Sequence, residues 1–429
     1  MILGKAMEKE KLRQIINDQQ ELFYQNDELI DRDISLNNYM KGNEIVIITG
    51  IRRSGKSSFL KIISRRLADK FVYITFDDIR MADFEIKNFE DIESIVSEIF
   101  GIKTKIIYLL DEIQNVQLWE KWVNNLYARG IKVFVTGSNS NLLSSEISTF
   151  LTGRNRVIKI YPFSFKEFLR FNKINSEYKT TNDKEIIIQG FREYFEIGGF
   201  PLIIKNKDLE LSKQYFEDIF YKDIINRYNI KKTKEYKDLA LYLFTNVAKK
   251  YSYSTLKTIS GIKSLSMIKN YIDYLKNSFL AFTINRFDYS MKKQIVSSSK
   301  IYSADNSFLK TIAFNFSENL GVRLENLVFL SLKRRGKEIY YHFDKHECDF
   351  VIKSGLKITE VIQVCLNLSE PNTKKREVDG LLEAMNKYKL DNGLILTFEQ
   401  EDKIKISNKE IVIMPVWKWL LNYIDNPND

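Results

Sequence analysis

EIVIITGIRRSGKSSFLKII, running from Glu44 to Ile63, decides how the first part of the chain is read. A β-branched apolar run leads into a glycine-bounded turn, and a helix-period run follows it. Within the turn, Gly50, Gly55, Lys56 and Ser57 meet the spacing G-x-x-x-x-G-K-S, and strand, loop and helix are the context that this spacing requires. The glycines let the backbone curl until successive N–H groups surround a phosphate, while the helix aims its positive end at the same group. Lys56 supplies a cation to the outer phosphates, and the Ser57 hydroxyl is set to ligate Mg²⁺. Arg53, Ser54 and Ser58 belong to the same phosphate-binding turn.

A loop of this kind needs a carboxylate from a second strand, and KIIYLLDE, Lys105 to Glu112, supplies it. The apolar run carries Asp111 to the carboxyl end of a buried strand, where ligands of open α/β sheets bind. Asp111 is the candidate for the Mg²⁺ shell, and Glu112 is the candidate general base that polarises an attacking water. A third strand, KVFVTGSNS, ends in Thr136, Ser138 and Asn139. Ser138 or Asn139 either senses the γ-phosphate or caps the helix that follows. In LTGRNR, Arg154 and Arg156 precede another apolar strand. Arg154, after a glycine turn, is the preferred arginine finger, acting within the chain or from a neighbouring subunit.

The chain has 429 residues, more than one ordinary core, so several domains are expected. With 44% hydrophobic and 28% charged residues it reads as a globular protein. No apolar run is long enough for a membrane span, and the start, MILGKAMEKEKLRQ, has no signal-peptide core, so a cytoplasmic location is expected. Two cysteines, Cys348 and Cys365, beside His342 and His346, build neither a disulfide framework nor an ordinary zinc site.

From Glu44 to Ile160, apolar strands alternate with helical patterns, which argues an α/β parallel sheet of P-loop type. Residues 1–160 are expected to form this core. Residues 161–230 carry helical spacing, broken at IGGFP, Ile197 to Pro201, and read as a helical lid. In residues 231–305, two helices around Gly261 are followed by AFTINRF and QIVSSSKIYSA as candidate wing strands, the layout of a winged helix-turn-helix. An α/β domain over 306–429 completes the expected order.

TGIRRSGKSSFL, YLLDEIQNV, VTGSNS, LTGR, EIGGFP and IYSADN occur in this order. Together they resemble the large prokaryotic family of AAA+-like ATPases that carry a C-terminal domain of uncharacterised function. The resemblance covers most of the chain. It implies ATP as the nucleotide, Gly50, Gly55, Lys56 and Ser57 as Walker A residues, Asp111 and Glu112 as the Walker B pair, and Asn139 or Ser138 as the sensor. It also implies a winged-helix region followed by a fold similar to the PD-(D/E)XK nucleases.

Charge singles out one segment. Lys231 to Lys300 holds fourteen Lys and Arg against four acids, which accounts for the whole formal excess of +10. Concentrated positive charge is the footprint of phosphate-backbone binding. Lys263 and Lys269, at the start of the second helix, are the candidate contacts to duplex DNA. A solvated lysine face, or one that meets a protein partner, is the competing reading.

In the nuclease-like fold, a helix acid, a strand aspartate and an (E/Q)-x-K pair gather Mg²⁺ and activate water. Glu325 in RLENLVFLSL, Asp349 in ECDFVI and Gln363 in ITEVIQVCLN match three of these, but Cys365 stands where the lysine should be. The expectation is a degenerate scaffold. Two functions follow from the whole reading. One is a DNA-associated ATPase whose turnover rearranges the C-terminal domains. The other is a slow nucleotide switch of the STAND type that binds a protein partner, with a homo-oligomer possible in either case.

Overall fold

The strand that leads into the glycine turn, β1 (Ile45–Thr49), consists entirely of β-branched residues, and all five are buried. That pattern suits an interior parallel strand, covered on both faces. The computed structural model describes residues 7–25, 28–67, 71–102, 104–138, 153–313 and 319–422. The chain divides into two units, Met1–Ile160 and Tyr161–Asp429.

In the first unit, β1 joins β2 (Phe71–Thr75), β3 (Ile107–Asp111), β4 (Val133–Gly137) and β5 (Asn155–Lys159). They form a five-stranded sheet in the order β2-β3-β4-β1-β5, with every pairing parallel. Successive side chains point to opposite faces, so Ile45 and Ile47 enter one core and Val46 and Ile48 the other. The first core is completed by α3 (Asn88–Phe100) and α4 (Trp119–Ala128), the second by α2 (Lys56–Ser64).

The β2 edge is closed by a helix. α1 (Lys9–Tyr24) lays Gln19 and Gln20 along it. The Thr75 amide donates to Gln19 Oε1 at 3.0 Å, the Tyr73 amide donates to Gln20 Oε1 at 2.8 Å, and Gln19 Nε2 returns a bond to the Thr75 carbonyl. Unpaired edge groups would otherwise invite another strand.

The second unit begins with helices: α5 (Phe165–Phe171), α6 (Thr181–Ile197), α7 (Pro201–Asn206) and α8 (Leu211–Asp218), continued by a π-helical stretch over Ile219–Asn226. Next come α9 (Thr233–Thr245), β6 (Lys250–Tyr251), α10 (Tyr253–Ser260), α11 (Leu265–Asn277), β7 (Ala281–Asn285), α12 (Met291–Val296) and β8 (Ser299–Ser303). The strands form an antiparallel sheet in the order β6-β8-β7. QIVSSSKIYSA is therefore only in part a strand. Gln294 to Val296 lie in α12, beyond the β7 pairing, which ends at Asn285, and Gln294 Nε2 closes the turn onto the Asp288 carbonyl at 2.5 Å.

A six-stranded sheet ends the unit, in the order β13-β14-β12-β11-β10-β9. α13 (Asn306–Thr311) and α14 (Leu320–Arg334) precede β9 (Glu338–Phe343), β10 (Glu347–Ser354) and β11 (Lys357–Val364), which pair antiparallel. α15 (Pro371–Tyr388) then crosses to β12 (Asn392–Thr397), parallel to β11. β13 (Asp402–Ile406), β14 (Lys409–Pro415) and α16 (Val416–Asn422) complete it. Among the described residues, no helix is long and apolar enough to cross a membrane.

EIGGFP and IYSADN lock onto each other. The buried Asp305 carboxylate accepts from the Gly199 amide at 2.8 Å and the Ser307 amide at 2.9 Å. Arg323 Nη2 donates to the Phe195 carbonyl at 2.7 Å, while Asn326 accepts from the Ser303 amide and donates to Asn306. The two motifs thus tie α6 to α13 and α14, a structural role. At Gly198, φ is 79°, and a Cβ would lie 1.8 Å from Asp305 Oδ1. Gly198→Ala should therefore cost more than the ~1–3 kcal/mol that such a backbone conformation alone imposes. Gly101→Ala, with φ 87° and ψ 144° and only an ordinary 3.8 Å contact from its Cβ, is the matched control. Thermal unfolding should show a clearly larger drop for Gly198→Ala; equal drops would refute the lock.

Candidate active site

The loop after β1 is shaped by what it cannot carry. A Cβ on Gly50 would lie 2.0 Å from the Ile160 carbonyl oxygen, so only glycine lets the end of β5 pass the first turn. The Ile160 amide donates to the Thr49 carbonyl at 2.7 Å and fixes that crossing. Arg53 and Gly55 take positive φ, 70° and 95°, which turns the chain into α2. Lys56, the first residue of α2, is buried and donates to the Gly50 and Ile51 carbonyls, each at 3.2 Å. Ser57 and Ser58 are exposed in the first turn of α2, as is Arg53 in the loop.

The two acids stand at the carboxyl end of β3, joined by one hydroxyl. Thr136 Oγ1 donates to Asp111 Oδ1 and accepts from the Glu112 amide at 3.0 Å. Tyr73 Oη donates to Asp111 Oδ2 at 3.1 Å. Burial and the Asp111 charge push the Tyr73 phenol well up, so it stays a donor. Glu112 adopts φ 50° and accepts from Gln114 Nε2. Burial raises the Glu112 pKa; the Lys56 charge opposes this and Asp111 adds to it, leaving a net rise. A carboxyl held above its ordinary range is a better proton acceptor near neutral pH.

These residues fit a nucleotide with Mg²⁺. Among the described residues, the Ser54 and Ser138 hydroxyls are buried without a hydrogen-bond partner, and buried polar atoms of that kind normally have one. Lys56, Asp111 and the first turn of α2 supply the charges that a polyphosphate and a hard cation require. Asn139 lies outside the described residues. Arg32 is an addition that sequence reasoning missed. Its Nη1 donates to the Ser54 carbonyl at 3.0 Å. It precedes β1 without motif or periodicity, so only the folded loop reveals it.

Arg154 lies at the end of β1 and β5 away from the glycine turn. Its carbonyl accepts from the Ile45 amide at 2.9 Å, and its Nη1 donates to Asn124 at 2.5 Å. Ile45 opens β1 and the loop closes it, so a strand of roughly 13 Å separates Arg154 from the phosphate site. The geometry rules out a finger in cis. Arg156 lies at the same end, paired with Glu44 at 3.0 Å.

In the second unit, Lys269 lies on α11 and is exposed, whereas Lys263 is exposed in the turn before Ser264 caps that helix. The basic excess is partly spent within the unit. Lys237 pairs with Glu217, Lys250 with Glu347, and Arg286 with Asp344. Lys300 is buried against Glu325, Glu347 and Asp349.

The structure brings Glu325 and Asp349 together around Lys300, while Gln363 is held apart from that cation. Its Oε1 accepts from the Asp349 amide at 3.1 Å and its Nε2 donates to Glu377. Cys365 is buried, and desolvation raises its thiol. A separate group, His342, Asp344 and Glu383, has ligand atoms within 4.8 Å of one another. Arg286, Lys387 and the backbone amides of Lys345 and His346 already donate to its two acids.

Residues 42–169 match the AAA domain family, and residues 188–319 match a domain of unknown function, DUF8612. The uncharacterized protein MJ1544 of Methanocaldococcus jannaschii is 37% identical over 416 residues, 92% of each chain. An uncharacterized protein of Haemophilus influenzae is 32% identical, over 87% of this chain and 94% of its own. Among solved structures, the Thermotoga maritima RuvB Holliday junction branch migration motor aligns with 64% of this chain and 89% of its own, at 14% identity and a TM-score of 0.28. The relation to MJ1544 and the AAA match over the glycine turn settle the assignment: the chain belongs to the family of the M. jannaschii protein MJ1544, built on a P-loop AAA domain that binds nucleotide.

Proposed function

We propose that the chain hydrolyses ATP at the Gly50–Ser58 loop and that turnover rearranges its C-terminal domains on duplex DNA. One observation carries the hydrolytic part: the Thr136 hydroxyl holds the Asp111 carboxylate and the Glu112 amide together beside the loop. Lys56 and the backbone of the turn orient the phosphates. Ser57 and Asp111 would hold Mg²⁺, which neutralises the charge that builds on the outer phosphates. Glu112 takes the proton of the attacking water, and Ser138 or Asn139 positions that water. Arg154 reaches a γ-phosphate only from a neighbouring copy, so a finger role for it requires a homo-oligomer.

Exposed Lys257, Lys263 and Lys269 support the DNA part of the reading. A second reading, a slow nucleotide switch that holds a protein partner, is favoured by the pairing of Lys237, Lys250, Arg286 and Lys300 with acids outside the basic segment.

Glu112→Gln should keep nucleotide affinity and lower kcat by about 10²–10⁴-fold. Lys56→Ala should lose affinity as well. Unchanged turnover in Glu112→Gln, measured by phosphate release, would refute the base assignment. The raised Glu112 pKa sets the sign of the pH dependence. The base works deprotonated, so kcat should fall as pH drops through a value above the ordinary ~4.3 of a glutamate. A profile flat down to pH 4.5 would contradict this. DNA stimulation should weaken with salt, and Lys263→Ala/Lys269→Ala should reduce the log–log salt slope by about 2. A rate indifferent to DNA would favour the switch.

A further inference from the structure

The carboxylate cluster of the second unit already contains a cation, and it belongs to the chain. Lys300, on β8, is 1% exposed. Its Nζ lies 2.7 Å from Glu347 Oε1, 3.0 Å from Glu325 Oε1 and 3.2 Å from Asp349 Oδ1. These acids come from α14 and β10, so three separate elements meet at one ammonium. An ammonium has three N–H donors; here it donates to Glu325 and Asp349, and Glu347 completes the cage as an ion pair.

Other donors of the chain reach the same three carboxylates. Tyr302 Oη donates to Glu325 Oε1 at 2.7 Å, the Val364 amide donates to Asp349 Oδ2 at 3.0 Å, and Lys250 Nζ pairs with Glu347 Oε2 at 2.9 Å. Gln363, the neighbouring side chain that would otherwise offer an oxygen, spends that atom on the Asp349 amide.

We propose that Lys300 occupies the cation position of this cluster in place of a divalent metal, so that the site is a closed, metal-independent tie between β8, α14 and β10. The oxygens surround a point charge as ligands surround an ion, but at ammonium distances of 2.7–3.2 Å rather than the ~2.0–2.1 Å of Mg²⁺. A single ammonium supplies half the charge of such an ion. Burial and the neighbouring acids raise both Asp349 and Glu325, and the Lys300 charge acts against that rise. Buried and enclosed by three carboxylates, Lys300 presents no open face to a water or a phosphate, and the cluster does not cleave phosphodiesters.

The test uses Mn²⁺ and nucleotide-free protein. By Mn²⁺ electron paramagnetic resonance, the wild-type chain should show no binding that Asp349→Asn removes. Lys300→Ala should gain one Mn²⁺ per chain, and Lys300→Ala/Asp349→Asn should lose it again. A soluble Lys300→Ala that gains no Mn²⁺ would overturn the proposal. If Lys300→Ala does not fold, wild type and Asp349→Asn decide it by thermal unfolding with and without Mn²⁺. Equal indifference to the ion supports an ammonium-filled site, and stabilisation of wild type alone overturns it.

Discussion

One hydroxyl orders the two acids on which the nucleotide site depends. Thr136 is the penultimate residue of β4, the strand between β1 and β3, so a donor–acceptor group stands where it can serve both neighbours. Its proton goes to Asp111 and its lone pair takes the Glu112 amide. The amide contact accompanies the left-handed turn of Glu112, which lifts that side chain off the strand line. Tyr73 reaches the other Asp111 oxygen from β2. Four adjacent strands of one parallel sheet thereby contribute to one site, and the order β2-β3-β4-β1 makes this possible.

Much of this was legible because it is local. Gly50, Gly55, Lys56 and Ser57 sit within one turn, and the β-branched run before them announces the strand. Asp111 and Glu112 close an apolar run in the same way. Arg32 was not legible, since its contact with the Ser54 carbonyl spans a stretch without periodicity. For Arg154 the sequence left cis and trans open, although a glycine turn before a strand shows where a strand begins. A parallel sheet puts such beginnings at the end away from the ligand.

The second unit illustrates the same limit for charge. An excess of lysine in one stretch reads as a surface for phosphates, yet a linear count cannot tell exposed lysines from buried ones. Lys263 and Lys269 face solvent, whereas Lys300 is enclosed by acids from elements that follow it in sequence. The absence of lysine at Cys365 pointed to a degenerate centre, and the folded chain adds that a lysine from β8 stands among the acids. EIGGFP and IYSADN, which carried part of the family resemblance, turn out to brace each other through Asp305.

In the proposed hydrolysis, Thr136 prepares Asp111 and Glu112. The most direct measurement is ATP turnover and nucleotide affinity of wild type and Thr136→Val side by side. Loss of the hydroxyl at constant shape should leave Kd within about threefold and lower kcat at least ~10-fold, the scale of one lost charge-assisted hydrogen bond. A Thr136→Val chain that turns over like wild type, or a wild type that binds ATP and never hydrolyses it, would contradict the account.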